Sequence, residues 1–80
     1  MFNLGKEIFL NNGNCATCHS LKDADAVANV GPNLNEIRPD VGRVINSVTN
    51  GIGVMPAMLG ILSDKEIKAV AYYVSEASMN

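Results

Sequence analysis

The 80-residue chain has no tryptophan and little else that is aromatic: Phe2, Phe9, Tyr72 and Tyr73 are the full set. A chain this short buries only about 60% of the surface its unfolded form exposes, so an unaided core is marginal. Scaffolds of this size usually need a disulfide network, a metal or a large cofactor. There are two cysteines and one histidine, so at most one disulfide, and closing the short gap between Cys15 and Cys18 would restrain little of the unfolded chain. The six Lys and Arg are scattered against eight Asp and Glu, for a net charge of −2, which leaves no basic cluster for nucleic acid. No uncharged apolar run reaches the ~18 residues a spanning helix requires, so stable membrane insertion is not expected. The opening "MFNLGKEIFL" carries Lys6 and Glu7 and lacks a secretory signal's basic-then-apolar layout. Composition leaves open a cytoplasmic chain, a processed one or a domain cut from a longer protein.

What is present reads as one domain, residues 1–80, built from helices. In "NLGKEIFLNNG", Leu4, Ile8 and Phe9 have helical spacing and Asn12-Gly13 supplies a stop. A polar loop, "LKDADAVANVGPNL", follows the cysteines. In "DVGRVINSVTNG", Val41, Val44, Ile45 and Val48 mark one helical face, and Asn50-Gly51 ends it. The adjacency of Val44 and Ile45 rules out strand alternation. The last segment, "LSDKEIKAVAYYVSEA", is the best defined. Ser63 and Glu66 have capping-box spacing, and Leu62 and Ile67 sit where a hydrophobic staple closes over such a cap. Ile67, Val70, Ala71 and Val74 then recur at i, i+3, i+4, i+7. No convincing strand is expected.

One stretch fits none of these patterns. "GIGVMPAMLGIL" runs twelve residues without a charge, yet three glycines and Pro56 spoil both helix and strand. Loops normally cross the wet surface. An apolar loop is therefore read either as a plug of core or, beside the cysteine motif, as a wall against a large apolar ligand.

The chemistry sits in "CATCH", Cys15 to His19. A structural zinc site wants four Cys or His ligands, and the chain has three, all in one place. A thioredoxin-like dithiol follows a strand, whereas here a helix precedes Cys15. Covalent haem is the third reading. Residues three and four apart share one face of a helical turn. Cys15 and Cys18 can thus add their thiols to two vinyl groups along one side of a porphyrin, and His19 can place an imidazole nitrogen on the iron. C-x-x-C-H is the c-type attachment signal, and from this composition it arises by chance roughly 6 times in 10,000. A haem also supplies the bulk that the missing aromatics do not.

With one histidine, bis-His ligation within the chain is impossible. The other soft donors are Met1, Met55, Met58 and Met79. Met1 and Met79 are terminal; Met55 and Met58 lie in the apolar loop, far enough along to reach the opposite face.

The order "GKEIF", "CATCH", "GPNL", "GVMPAM", "LSDKEIKAVAYYV" resembles the class I monohaem cytochromes c, especially their short bacterial members, over nearly the whole chain. The resemblance implies a small all-α cytochrome c fold, three to four helices wrapped around one covalently bound haem c. It makes Met55, directly before Pro56, the sixth ligand and Met58 the competitor. It places the Pro32 carbonyl as acceptor of the His19 N–H, a bond that fixes the tautomer and raises imidazole basicity. It pairs Gly5 and Phe9 with an aromatic of the last helix, Tyr73, and leaves Tyr72 either exposed or facing the haem. Arg38 or Arg43 could pair with a haem propionate. Unlike the mitochondrial type, the chain lacks a ring of lysines, so docking is expected to use an apolar rim including Ala16, Val54 and Met58.

The resemblance thus implies a monomeric, non-enzymatic one-electron carrier. Its partners would be larger redox proteins: a membrane quinol-oxidising complex, a terminal oxidase, a peroxidase or a reductase. It would work in a bacterial periplasm, its signal removed. The alternatives are a gas-binding or peroxide-reactive haem domain and the electron-entry domain of a larger reductase.

Overall fold

A computed structural model describes residues 2–12, 15–17, 19–28, 31, 33–51, 55, 57–58 and 60–79, with Asn12 and Thr17 as backbone only. The longest element, α4 (Asp64–Ala77), begins where its sequence says it should. Ser63 Oγ accepts from the Glu66 N–H at 3.1 Å, and Glu66 Oε1 accepts from the Ser63 N–H at 2.9 Å. Each side chain thereby satisfies a backbone donor the helix start would leave without a partner. Leu62 and Ile67 are both buried across this cap. Beyond it, Val70, Ala71, Tyr73, Val74 and Ala77 turn inward.

The first helix, α1 (Phe2–Glu7), packs on α4 in the most extensive contact of the fold. Gly5 makes the approach possible: a Cβ there would meet the Ala69 carbonyl and Tyr73 Cβ. The expected stop at Asn12 takes an unexpected form, since α1 widens into a π-helical turn over Ile8–Asn12. Ile8 and Phe9, both in that turn, are nearly or fully buried. Tyr73 is the centre of this packing. The Phe2 and Phe9 rings meet it edge-on at centroid distances of 4.9 and 5.9 Å. Its hydroxyl donates to Asp23 Oδ2 at 2.7 Å, and Asp23 also pairs with Lys6 at 3.5 Å. Burial first, then the Asp23 carboxylate, holds the Tyr73 phenol well above its ordinary range.

The polar loop after the cysteines contains a short antiparallel pair, β1 (Ser20–Leu21) with β2 (Ala26–Val27), in the register Ser20 to Val27 and Leu21 to Ala26. The expectation of no strand is corrected here. Each strand is two residues long, below the length at which alternation is legible in a sequence. The turn between them closes with Asp25 in the left-handed region (φ 53°).

A single turn, α2 (Leu34–Ile37), starts at Asn33, whose side chain accepts from the Asn35 N–H at 2.9 Å, and ends at Arg38 (φ 45°). Asn35 ties this turn to two other elements: its Oδ1 accepts from the Lys22 N–H at 2.7 Å and its Nδ2 donates to the Ser78 carbonyl. Helix α3 (Val41–Asn50) is capped by Asp40, which accepts from the Arg43 N–H at 2.7 Å, and stops at Gly51. It packs on α4 through Val44 and Val48, both buried. Val41 stays exposed and Ile45 half-buried, so the buried stripe is narrower than the sequence suggested.

Candidate cofactor site

Beside the contact of α3 with α4, the side chains leave a space unfilled. They surround an open cavity walled mostly by apolar side chains, the kind of lining that small-molecule and cofactor sites have. Among the described residues, its walls are Phe9 from the π turn, Leu34, Ile37 and Pro39 around α2, Val44 and Val48 from α3, and Val70 and Val74 from α4. Cys15, His19 and Met55 also line it. Two polar side chains join them from one flank of α3, Arg43 and, one turn on, Ser47.

The chain places these groups by local rules. Cys15–Thr17 form a 3-10 turn, and the His19 N–H donates to the Cys15 carbonyl at 2.9 Å. This i to i−4 bond puts positions 15 and 19 one helical turn apart on a shared face. Met55 comes from the other arm. Downstream of it, the Met58 N–H donates to the Val48 carbonyl at 2.7 Å, and the Met58 carbonyl accepts from the N–H groups of Ile61 and Leu62 at 2.9 Å. These bonds pin the apolar loop to α3.

Of the sequence-predicted site residues, the cavity brings together Cys15, His19 and Met55. Cys18, Pro32 and Val54 lie outside the described residues. Met58 is half-buried against the core and does not line the cavity; Ala16 is half-buried as well. The two arginines separate. Arg43 lines the cavity, whereas Arg38 Nε donates to the Asn35 carbonyl at 3.3 Å. Tyr72 is exposed rather than cavity-facing. The apolar loop contributes one described residue, Met55, to the lining, and helices supply most of the described wall. Sequence reasoning missed Phe9, Val70 and Val74 as lining residues. Val70 and Val74 had been assigned to the core face of α4, and the same face serves both purposes. It also missed Gly31, where a Cβ would stand 2.6 Å from His19 Cε1.

The donor set fits a flat apolar group with a metal at its centre and an acidic edge. Nearly all of the wall is hydrocarbon, one thiol stands beside one imidazole, and a thioether completes the soft donors. The cation and hydroxyl of Arg43 and Ser47 suit carboxylates. A bare metal ion fits poorly: among the described residues no three His, Cys, Asp or Glu side chains come together.

A small all-α protein with a thiol–imidazole turn on an apolar cavity is a c-type haem protein in outline, and comparison with known proteins agrees. The family model described as cytochrome C oxidase, cbb3-type, subunit III matches residues 2–74. Cytochrome c6 of Synechocystis sp. is 40% identical over 81 residues, spanning 88% of this chain and 60% of that protein. Cytochrome c6 of Diacronema lutheri is 36% identical over 75 residues, spanning 88% of each. The crystal structure of the c-type cytochrome SorU from Sinorhizobium meliloti superposes with a TM-score of 0.91 at 57% identity, covering 96% of this chain and 90% of that one. The chain belongs to the class I monohaem c-type cytochromes. It carries covalently bound haem c and is an electron carrier. No helix among the described residues is long and apolar enough to cross a membrane.

Proposed function

We propose that residues 1–80 form a single-domain one-electron shuttle with no catalytic turnover of its own. In this reading Cys15 and Cys18 would tether the haem, and His19 and Met55 would ligate its iron. The observation that carries it is the presence of Cys15, His19 and Met55 on one apolar cavity. Bound there, the haem supplies a reversible ferrous/ferric couple.

The chain's own residues set how that couple behaves. The Met55 thioether is a neutral donor, which favours the reduced ion and raises the potential relative to a second imidazole. Phe9, Val44, Val48, Val70 and Val74 keep water from the ring, which penalises the extra charge of the ferric state. In the same reading Pro32 would offer its carbonyl to the His19 N–H, which would fix the tautomer. Arg43 and Ser47 face the carboxylate edge, with Arg43 now preferred over Arg38. With His19 and Met55 both serving as ligands, the bound haem would offer dioxygen and peroxide no open site, and the same residues would serve both oxidation states.

Electrons pass to and from larger redox proteins. For this chain a membrane quinol-oxidising complex, a terminal oxidase, a peroxidase or a reductase fits, met by a monomer in a bacterial periplasm. The test is a visible spectrum in both redox states, with carbon monoxide added to the reduced protein. A six-coordinate low-spin spectrum that carbon monoxide leaves unchanged is expected. The Met55→Ala variant should bind carbon monoxide stoichiometrically. Rapid binding by the parent protein at neutral pH would replace the shuttle with a gas-binding or peroxide-reactive domain.

A further inference from the structure

We infer that Gly31 is a positioning residue for the His19 imidazole: the bare backbone at position 31 is the wall that sets how the ring is turned. The inference rests on the reading of His19 as an iron ligand. A Cβ at Gly31 would stand 2.6 Å from Cε1, 2.8 Å from Nδ1 and 3.0 Å from Nε2 of His19. All three atoms belong to the ring edge that carries both nitrogens. The contact therefore bears on the part of the imidazole that must face the metal on one side and a hydrogen-bond acceptor on the other.

The other described glycines separate this role from ordinary glycine chemistry. Gly5 makes room for a helix, not for a site residue. Gly51 and Gly60 have φ of 77° and 88°, a region where a side chain is strained regardless of space. Gly31 is not among the positive-φ glycines, so its φ does not bar alanine, and the three nearest atoms a Cβ would meet all belong to the His19 ring. Gly42 is the matched control: a Cβ there meets nothing closer than Asp40 Oδ1 at 3.6 Å, an ordinary contact.

The His19 N–H donates to the Cys15 carbonyl, so the ring answers an added methyl first by turning about its side-chain bonds. An untethered imidazole would swing aside at little cost. One held by a metal would instead tilt or lengthen its bond, and either response would weaken donation to the ferric ion. Electron density given by the axial ligand is one of the levers on haem potential. Gly31 thus acts on the couple without touching the iron.

The experiment uses the intact holoprotein. In the ferrous state, proton magnetic resonance should show through-space contacts between the Gly31 α-protons and the His19 ring protons; their absence overturns the proposal whether or not any variant folds. Gly31→Ala is then expected to keep its covalent haem while the His19 ring resonances move. The ferrous-to-ferric ratio against a fixed reference couple should rise about twofold or more. Gly42→Ala should leave both readouts at parent values. If Gly31→Ala leaves them at parent values too, the proposal is wrong although His19 remains the ligand. If the His19 ring protons of the ferric parent show no iron-induced shift, the ligand reading itself fails and this inference falls with it.

Discussion

The two faces of α4 are built on opposite plans. Toward α1 the chain completes its own packing: Tyr73 is fully buried, two rings meet it edge-on, and Gly5 brings the backbones together. Toward α2 and α3 the same helix offers Val70 and Val74 to a cavity that the chain's side chains do not fill. One face is packed throughout; the other packs on α3 but leaves a cavity, which in the proposed reading the haem fills. The contrast explains how 80 residues with four aromatics hold together. Three of the four rings cluster where α1 and its π turn meet α4, with Phe9 also lining the cavity and Tyr72 exposed, and in the proposed reading the cofactor supplies the remaining bulk.

The largest expected effect comes from removing what fills the second face. A Cys15→Ser, Cys18→Ser double variant should lose tethered haem, and with it cooperative thermal unfolding, because a core this small has little reserve. Near-ultraviolet circular dichroism and calorimetry would read this out. A sharp parent-like transition in the haem-free protein would show that the cavity face needs no partner.

A smaller loss is expected from spoiling the finished face. Gly5→Ala drives a methyl into α4 backbone and should cost about 1–3 kcal/mol, measured by denaturant unfolding of the holoprotein. Its midpoint potential should stay at the parent value, since the atoms a Cβ at Gly5 would meet, on Ala69 and Tyr73, do not line the cavity. A large potential shift would erase the distinction between the two faces.

The smallest effect is a pH dependence. The Tyr73 phenol is raised in the folded state above its ordinary 10.0. The neutral phenol therefore contributes stability that is fully present below pH 10 and is lost as pH rises above it, where the unfolded chain ionises first. Tyr73→Phe should cost about 1 kcal/mol at neutral pH through the lost Asp23 bond and show a shallower fall in stability above pH 10. Equal alkaline slopes in the two proteins would assign that fall elsewhere.

How much of this was legible in the sequence depends on range. The cap of α4 was readable because Ser63 and Glu66 act within four residues, and the end of α3 because Gly51 marks its own φ. "CATCH" was readable because one turn of chain carries the whole pattern. The Gly5, Phe9 and Tyr73 cluster came from resemblance, not from spacing. What escaped was tertiary or very short: two-residue strands, the one-turn α2 and the meeting of Gly31 with His19 across twelve residues. The wall was sought in the uncharged loop because uncharged loops are odd. Among the described residues most of it comes from helices, whose apolar faces look the same in sequence whether they pack on protein or on a cofactor.

The most direct measurement of the central claim is proton magnetic resonance of the ferrous holoprotein with its methionine methyls labelled. A methyl held over a porphyrin is carried far upfield by the ring current. One such methyl is expected, and it should vanish from that region in Met55→Ala. An upfield methyl that survives that substitution, or the absence of any, would contradict the account.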